Sequence, residues 1–399
     1  MSPATPVAVV TDSTHYLPRE LVLERGIHVV SLYVNQGGTI TKESDMPDFN
    51  AFYDGLRTSA ELPTTSQPSI GDFLEVYEPL VAAGRDIVSV HLSGGLSGTV
   101  ESARQAAAEL DGQRTIHVVD SLSTCGGLGV VVLAAQAAAD AGADVAQVTQ
   151  RARDAIDATE VWFSLDTLEF VQRGGRIGRA QAWIGSALSV KPILSFMDGT
   201  LVPIERVRTR RRAVERMLDY LRARRDDGAT AWFVQHAQAP DVAEKVVEGG
   251  REIFGNDPLF VTELGPVLGT YAGPGMLGIG AIPQACCSSA LPAAAEDGGD
   301  PAADDEARHR GADEHLRTIA VDLPAPVGDR DDLAAQLRQR CRERALVGGD
   351  RGPDLLRGAG LAAHERWSSG WTTTSRTCSF MSAVSSWIVA CVTRAAAIA

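Results

Sequence analysis

One alternation narrows the possible folds of this chain more than any other feature. Through the first 160 residues, short apolar runs take turns with longer amphipathic stretches, and polar turns separate them. The runs at 7–10, 27–34, 87–92 and 116–119 are too brief for helices and read as strands. The stretches at 18–25, 48–56, 70–83, 99–107, 128–141 and 145–158 read as helices. The first of these stops at Gly26. In the third, Phe73, Val76, Tyr77, Leu80 and Val81 recur at helical spacing. Buried strands joined through helices make a parallel sheet covered on both faces. The fold class expected is therefore α/β, with a parallel-sheet N-terminal domain over residues 1–160.

Past residue 160 the alternation loosens. Strands are predicted at 161–164, 191–196, 201–207, 230–236 and 259–264, with helices at 166–171, 180–188 and 241–254. Asp198-Gly199 between two apolar runs predicts a tight hairpin, because both residue types tolerate positive φ. A smaller α+β domain over 161–283 is expected. From residue 284 Ala, Arg, Asp, Gly and Pro dominate, and five of the six cysteines fall there. Such composition predicts a disordered or aberrant tail over 284–399.

A formal net charge of −14 argues against a nucleic-acid partner. The N-terminal apolar run is too short for a signal peptide and meets Asp12. The closing stretch 382–399 carries Arg394 and is a poor membrane span. Cys125 stands alone before residue 286, beside Gly126 and Gly127, and reads as a small core residue in a reducing, cytoplasmic compartment. No cysteine pair has zinc-ligand spacing, so neither a metal nor a cofactor is expected.

Two loops carry the chemistry. Pro63-Thr64-Thr65-Ser66-Gln67-Pro68-Ser69 and Ser93-Gly94-Gly95-Leu96-Ser97-Gly98-Thr99 crowd hydroxyls and glycines, and the second passes from a buried strand into a helix. Such loops aim N–H groups and hydroxyls at one place, which suits a carboxylate or phosphate oxygen. Turn and cap duties are the plainer use of these hydroxyls. Ser97 as a hydrolase nucleophile is the competing reading, but Gly95-Leu96-Ser97-Gly98-Thr99 lacks the closing glycine of a nucleophile elbow. None of Lys42, Lys191 and Lys245 follows a glycine, as a phosphate loop requires. Gly273-Pro274-Gly275-Met276-Leu277-Gly278 matches a dinucleotide spacing but opens no βαβ unit, and reads as a helix-start loop at a ligand mouth. His91, His117 and His236 lie in or beside predicted strands and read as core or edge histidines. Arginines at 173–179 and 206–212 form a basic face that a partner could use.

Taken together, the motifs resemble those of the DegV family of bacterial fatty-acid-binding proteins. They are Val10-Thr11-Asp12-Ser13-Thr14, the two hydroxyl loops, Asp120-Ser121, Arg173-Gly174-Gly175-Arg176-Ile177, Lys191-Pro192-Ile193-Leu194, Arg206-Val207-Arg208-Thr209 and Gly273-Pro274-Gly275, and they span roughly residues 5–282. The resemblance implies two α/β domains with a long-chain fatty acid between them, its carboxylate held by Thr65 and Ser97. Ser66 and Gly98, through nearby N–H groups, together with Ser93 and Tyr271, complete the expected fatty-acid site, which has no catalytic residue and no metal. It further implies a lipid-binding, non-enzymatic subunit that presents the carboxylate to a separate ATP-binding fatty acid kinase subunit; for that partner the clustered Arg173, Arg176, Arg206 and Arg208 are the expected docking face. A regulatory binding protein without a kinase partner is the third reading. The chain departs from the family pattern at Tyr271, where a histidine is usual, at Gly94, where a second serine is common, and after Gly278, where a closing apolar helix is replaced by the tail.

Overall fold

The computed structural model describes residues 7–283 apart from 47, 59–61 and 184–189. The tail expected to be disordered or aberrant lies outside the described residues.

The chain runs β1 (Val7–Asp12), α1 (Arg19–Arg25), β2 (His28–Val30), β3 (Tyr33–Gln36), β4 (Thr39–Lys42), α2 (Phe49–Thr58), β5 (Thr64–Ser66) and α3 (Ile70–Ala82). It continues through β6 (Asp86–His91), α4 (Thr99–Glu109), β7 (Ile116–Asp120), α5 (Cys125–Asp140) and α6 (Val145–Ala158). Then come β8 (Glu160–Ser164), α7 (Glu169–Arg173), β9 (Lys191–Met197), β10 (Thr200–Val207), α8 (Arg210–Asp226) and β11 (Ala231–His236). The described chain closes with α9 (Pro240–Phe254), β12 (Val261–Glu263), α10 (Pro266–Ala272) and β13 (Leu277–Ile282).

The expected parallel sheet is present, in the order β2-β1-β6-β7. Every residue of β1 is buried, as a central parallel strand covered on both faces requires. A second, mixed sheet of six strands has the order β10-β9-β8-β13-β11-β12 and begins at Glu160. Helix α5 packs against β1 and β6 of the first sheet and against β8, β11 and β13 of the second. That double contact explains its composition of Ala, Gly and Val, buried almost all round. One apolar core runs through both sheets, from Val7 to Ile282.

The structure corrects the sequence expectation in four places. The single strand expected over 27–34 breaks at Ser31-Leu32 into β2 and β3, which belong to different sheets. The first hydroxyl loop contains β5, paired antiparallel with β3 in a three-stranded sheet. The Gly-Pro-Gly segment starts no helix; it ends α10 and opens β13. The last apolar segment among the described residues is thus a strand, β13, and it pairs with both β8 and β11 inside the second sheet.

Candidate functional site

The local fold first fixes the two loops. Strand β5 is registered so that Thr65 lies opposite Val34. Thr65 Oγ1 meets the Tyr271 hydroxyl at 2.6 Å. The second loop leaves β6 and is clamped onto the β9–β10 hairpin: Ser93, fully buried, donates to the Gly199 carbonyl at 2.7 Å. A Cβ on Gly95 would lie 2.6 Å from that same carbonyl oxygen, so only glycine fits. The hairpin has the expected tight turn, with φ of 51° at Asp198 and 73° at Gly199. Ser97 Oγ lies 2.9 Å from Thr99 Oγ1 at the start of α4, and the partner it finds is therefore a hydroxyl and not an imidazole. Gly98 has an ordinary φ, so its need for glycine is closeness: a Cβ there would lie 2.3 Å from Gln67 Oε1. Gln67 Nε2 donates to Ser102 Oγ at 3.1 Å and so ties the first loop to α4, the helix that the second loop opens.

Behind the loops lies a cavity of about 330 Å³. Its wall is mostly apolar, with Leu32, Leu165, Phe163, Phe196, Phe233 and Leu268 among its members. The polar lining falls into two sets. Thr65, Ser66, Gln67, Ser97, Arg176 and Tyr271 form the first, and within it Tyr271 touches both Thr65 and Arg176. The Arg176 guanidinium sits 5.4 Å from the centroid of the Tyr271 ring, and its Nε donates to the Leu96 carbonyl at 3.3 Å. The ring's other neighbour is Gly174, where a Cβ would lie 2.3 Å from Tyr271 Cδ1. Thr124, Cys125 and Gln235 form the second set. Gln235 is spent on the Gly126 amide, Thr262 Oγ1 and the Tyr16 carbonyl. Burial pushes the Cys125 thiol up, so it stays neutral and behaves as a small apolar wall residue.

Of the expected site residues, Thr65, Ser66, Ser97 and Tyr271 line the cavity, while Ser93 and Gly98 do not. Ser93 is withdrawn by its bond to the hairpin; Gly98 serves loop-to-loop approach. Arg176, expected at a docking surface, is exposed and also lines the cavity. Arg173, Arg206 and Arg208 are exposed. Arg173 pairs with Glu169 at 3.2 Å, and Arg206 stacks 5.0 Å from the Trp183 ring centroid. The other arginines of that segment are taken by acids: Arg210 by Asp166, Arg211 and Arg212 by Glu215.

Three acids hold this architecture, Asp12 and Glu43 buried and Asp166 partly exposed. Asp12 accepts from Thr14 N and Oγ1 and, at 2.9 Å, from the Leu92 amide, which fixes the strand end that delivers the second loop. Burial raises its carboxyl, but the bond to His91, the charge there, the Thr14 hydroxyl and the Leu92 amide outweigh it and hold the group below its usual range. Ionised Asp12 accepts a hydrogen bond from His91 Nδ1 at 3.1 Å; Ser89 Oγ lies 2.7 Å from Nε2, and Tyr77 donates to Ser89 at 2.7 Å. This Ser–His–Asp chain has the connectivity of a hydrolase triad, yet all three side chains are fully buried and none lines the cavity. It is a satisfied core network. Asp166 binds Lys191 at 3.0 Å and Arg210 at 2.8 Å, and a Cβ on Gly275 would lie 2.6 Å from its Oδ2. The Lys-Pro-Ile-Leu and Gly-Pro-Gly motifs thus meet at one carboxylate. The third acid, Glu43, sits beneath α10. Its carboxylate takes the Ser13 hydroxyl at 2.6 Å, the Tyr16 hydroxyl at 2.8 Å and the Val267 amide at 2.8 Å.

Among the described residues, no cluster of three or more His, Cys, Asp or Glu side chains is placed to hold a metal, and no helix is long and apolar enough to cross a membrane. Residues 6–284 match the family profile described as uncharacterised protein, DegV family. A DegV domain-containing protein of Streptomyces coelicolor is 39% identical over 276 residues, covering 68% of this chain and 97% of its own. The structure of a fatty-acid-binding DegV family protein from Thermus thermophilus superposes with a TM-score of 0.65 at 34% identity, covering 70% of this chain and 99% of that one. DegV of Bacillus subtilis, described as a fatty acid binding protein, gives a TM-score of 0.65 at 34% identity over the same shares.

Proposed function

Since this chain belongs to the DegV family, we propose that its cavity binds a long-chain fatty acid and presents the carboxylate at the Thr65–Ser97 lip to a separate ATP-binding kinase subunit. The observation that carries this reading is a mostly apolar cavity of about 330 Å³ whose polar lining includes Thr65, Ser97, Arg176 and Tyr271. The volume falls within the range of small-molecule sites, and the apolar wall matches an acyl chain. Transfer of about fifteen methylenes at ~0.8 kcal/mol each offers on the order of 10 kcal/mol before ordering costs, so the tail supplies affinity and the head group sets orientation. The Thr65 and Ser97 hydroxyls donate to the carboxylate, with the Ser66 and Gly98 amides beside them, and the Arg176 guanidinium offsets its charge.

In this reading the acyl chain lies between a lobe of residues 1–160 and one of 161–283, the carboxylate is phosphorylated by the partner in the cytoplasm, and this chain contributes no catalytic group. The exposed Arg173, Arg206 and Arg208 form the docking face. Native mass spectrometry of the full chain purified from cells tests the binding: a mass increment equal to one long-chain fatty acid is expected. A chain that is empty and takes up no added palmitate would overturn the proposal.

A further inference from the structure

Helix α10 is only seven residues long, too short to hold its own place in water. It nevertheless supplies Val267, Leu268, Tyr271 and Ala272 to the cavity wall. Its first free amides are met from a part of the chain more than two hundred residues away. The Val267 amide donates to Glu43 Oε1 at 2.8 Å, and the Leu268 amide donates to the Tyr16 hydroxyl at 3.1 Å. Tyr16 in turn donates to the same Glu43 oxygen. The approach is close enough that a Cβ on Gly265 would lie 2.6 Å from Glu43 Oε1 and 2.7 Å from Tyr16 Cε1. Tyr53 secures the preceding residue by donating to the Leu264 carbonyl at 3.0 Å.

We propose that Glu43 is the positioning residue of the cavity: through Val267 and Tyr16 it sets α10, and so sets where the Tyr271 hydroxyl meets Thr65. Its link to ligand retention rests on the fatty-acid reading above; its hold on α10 does not.

The site also defines a pH response with a definite sign. Burial pushes the Glu43 carboxyl up to about 7, against the lowering pull of Ser13, Val267 and Tyr16. The neutral acid keeps every contact, because Oε1 still accepts twice while the Ser13 hydroxyl reverses and accepts the new proton. Ionisation favours any state in which water reaches the carboxylate, namely α10 lifted from its seat. The titratable groups that interact electrostatically with Glu43 are Asp12, Tyr16, Tyr53 and Cys125, and His15 interacts with Asp12; all hold their states near neutrality. Asp12 is held low, and burial takes His15 down to about 4. Burial pushes Tyr16, Tyr53 and Cys125 upward. The hold on α10 therefore weakens as pH rises through about 7.

The test uses the full chain and two measurements. Amide exchange of Val267 and Leu268, read as protection factors without ligand, reports on the helix. Release of bound palmitate reports on the cavity. In the wild type, protection falls and release quickens by up to about tenfold between about pH 6 and pH 8. In Glu43→Gln, whose amide reproduces the neutral acid, both stay at the wild-type low-pH value across that range. In Glu43→Ala, both are lost by roughly ten- to a hundredfold at every pH. Protection of Val267 and Leu268 that is independent of pH in the wild type and equal in Glu43→Gln overturns the proposal, even if the alanine variant fails to fold. If exchange behaves as expected but no variant binds palmitate, the positioning role stands and the fatty-acid reading fails.

Discussion

Replacing Gly126 with alanine tests how the cavity wall is locked. A Cβ at this position would lie 2.1 Å from Phe233 Cε2 and 2.5 Å from Cδ2, where carbon atoms ordinarily rest about 3.5–4.0 Å apart. The ring has few ways to yield. Gly280 abuts its far edge, with an ideal Cβ 2.5 Å from Cζ, and Phe260 stacks on it at 5.1 Å between centroids. The remaining direction is into the cavity, whose wall Phe233 already forms. Overpacking of this kind costs about 1–3 kcal/mol. At roughly 2–4 °C per kcal/mol for a domain of this size, the melting temperature should fall by about 2–12 °C. A displaced ring also takes acyl space, so the retained fatty acids should shift to shorter chains. Calorimetric melting with mass spectrometry of bound acids reads both effects. Gly71→Ala is the control, because a Cβ there meets nothing closer than Ser69 Oγ at 3.6 Å. Alanine in that helix should stabilise by up to about 1 kcal/mol. If Gly126→Ala melts like the wild type and keeps the same acids, the ring is not locked and the reasoning fails.

Two further outcomes follow from the charged groups. The folded-state value of Glu43 stands above the ordinary 4.5 at about 7, so the native state binds the extra proton between those values and stability falls as pH rises through that window. The difference of about 2.5 amounts to on the order of 3 kcal/mol, and Glu43→Gln should remove it when unfolding midpoints are compared across that window. Charge reversal at both Arg173 and Arg208 should lower acyl phosphate formation in a mixture with the kinase subunit while palmitate binding stays intact; equal loss of binding would make these arginines part of the cavity.

The parallel sheet was legible because its strands are continuous apolar runs separated by helices of clear period, and β1, β6 and β7 lie where those runs predict. What escaped the sequence has a physical cause in each case. Strand β5 is made of Thr64, Thr65 and Ser66, which carry no apolar alternation; pairing with β3 defines it. Strand β13 reads Leu-Gly-Ile-Gly-Ala-Ile, and its glycines look like turn signals until Phe233 is seen against Gly280 and Phe163 near Gly278. Helix α10 has no amphipathic stripe and depends on Glu43, a partner that no local pattern reveals. At the site, Thr65 and Ser97 stood out through their loops; that Gly95 and Gly98 are needed for packing against Gly199 and Gln67 shows only in the fold. Gln67 stood within a quoted motif, but its role in tying the first loop to α4 shows only when Gly98 is placed against it. Arg176 read only as part of a basic face, because sequence spacing cannot reveal that an exposed guanidinium also lies over the Tyr271 ring.

The most direct test of the account is a calorimetric titration of ligand-stripped full-length chain with palmitate, alongside the Thr65→Ala/Ser97→Ala double variant. Saturable binding of one palmitate is expected in the wild type. In the double variant it should weaken by roughly 2–5 kcal/mol, the worth of two hydrogen bonds to a charged group. Equal affinity in the two proteins would contradict the lip as the carboxylate site, and no binding to either would contradict the cavity as an acyl site.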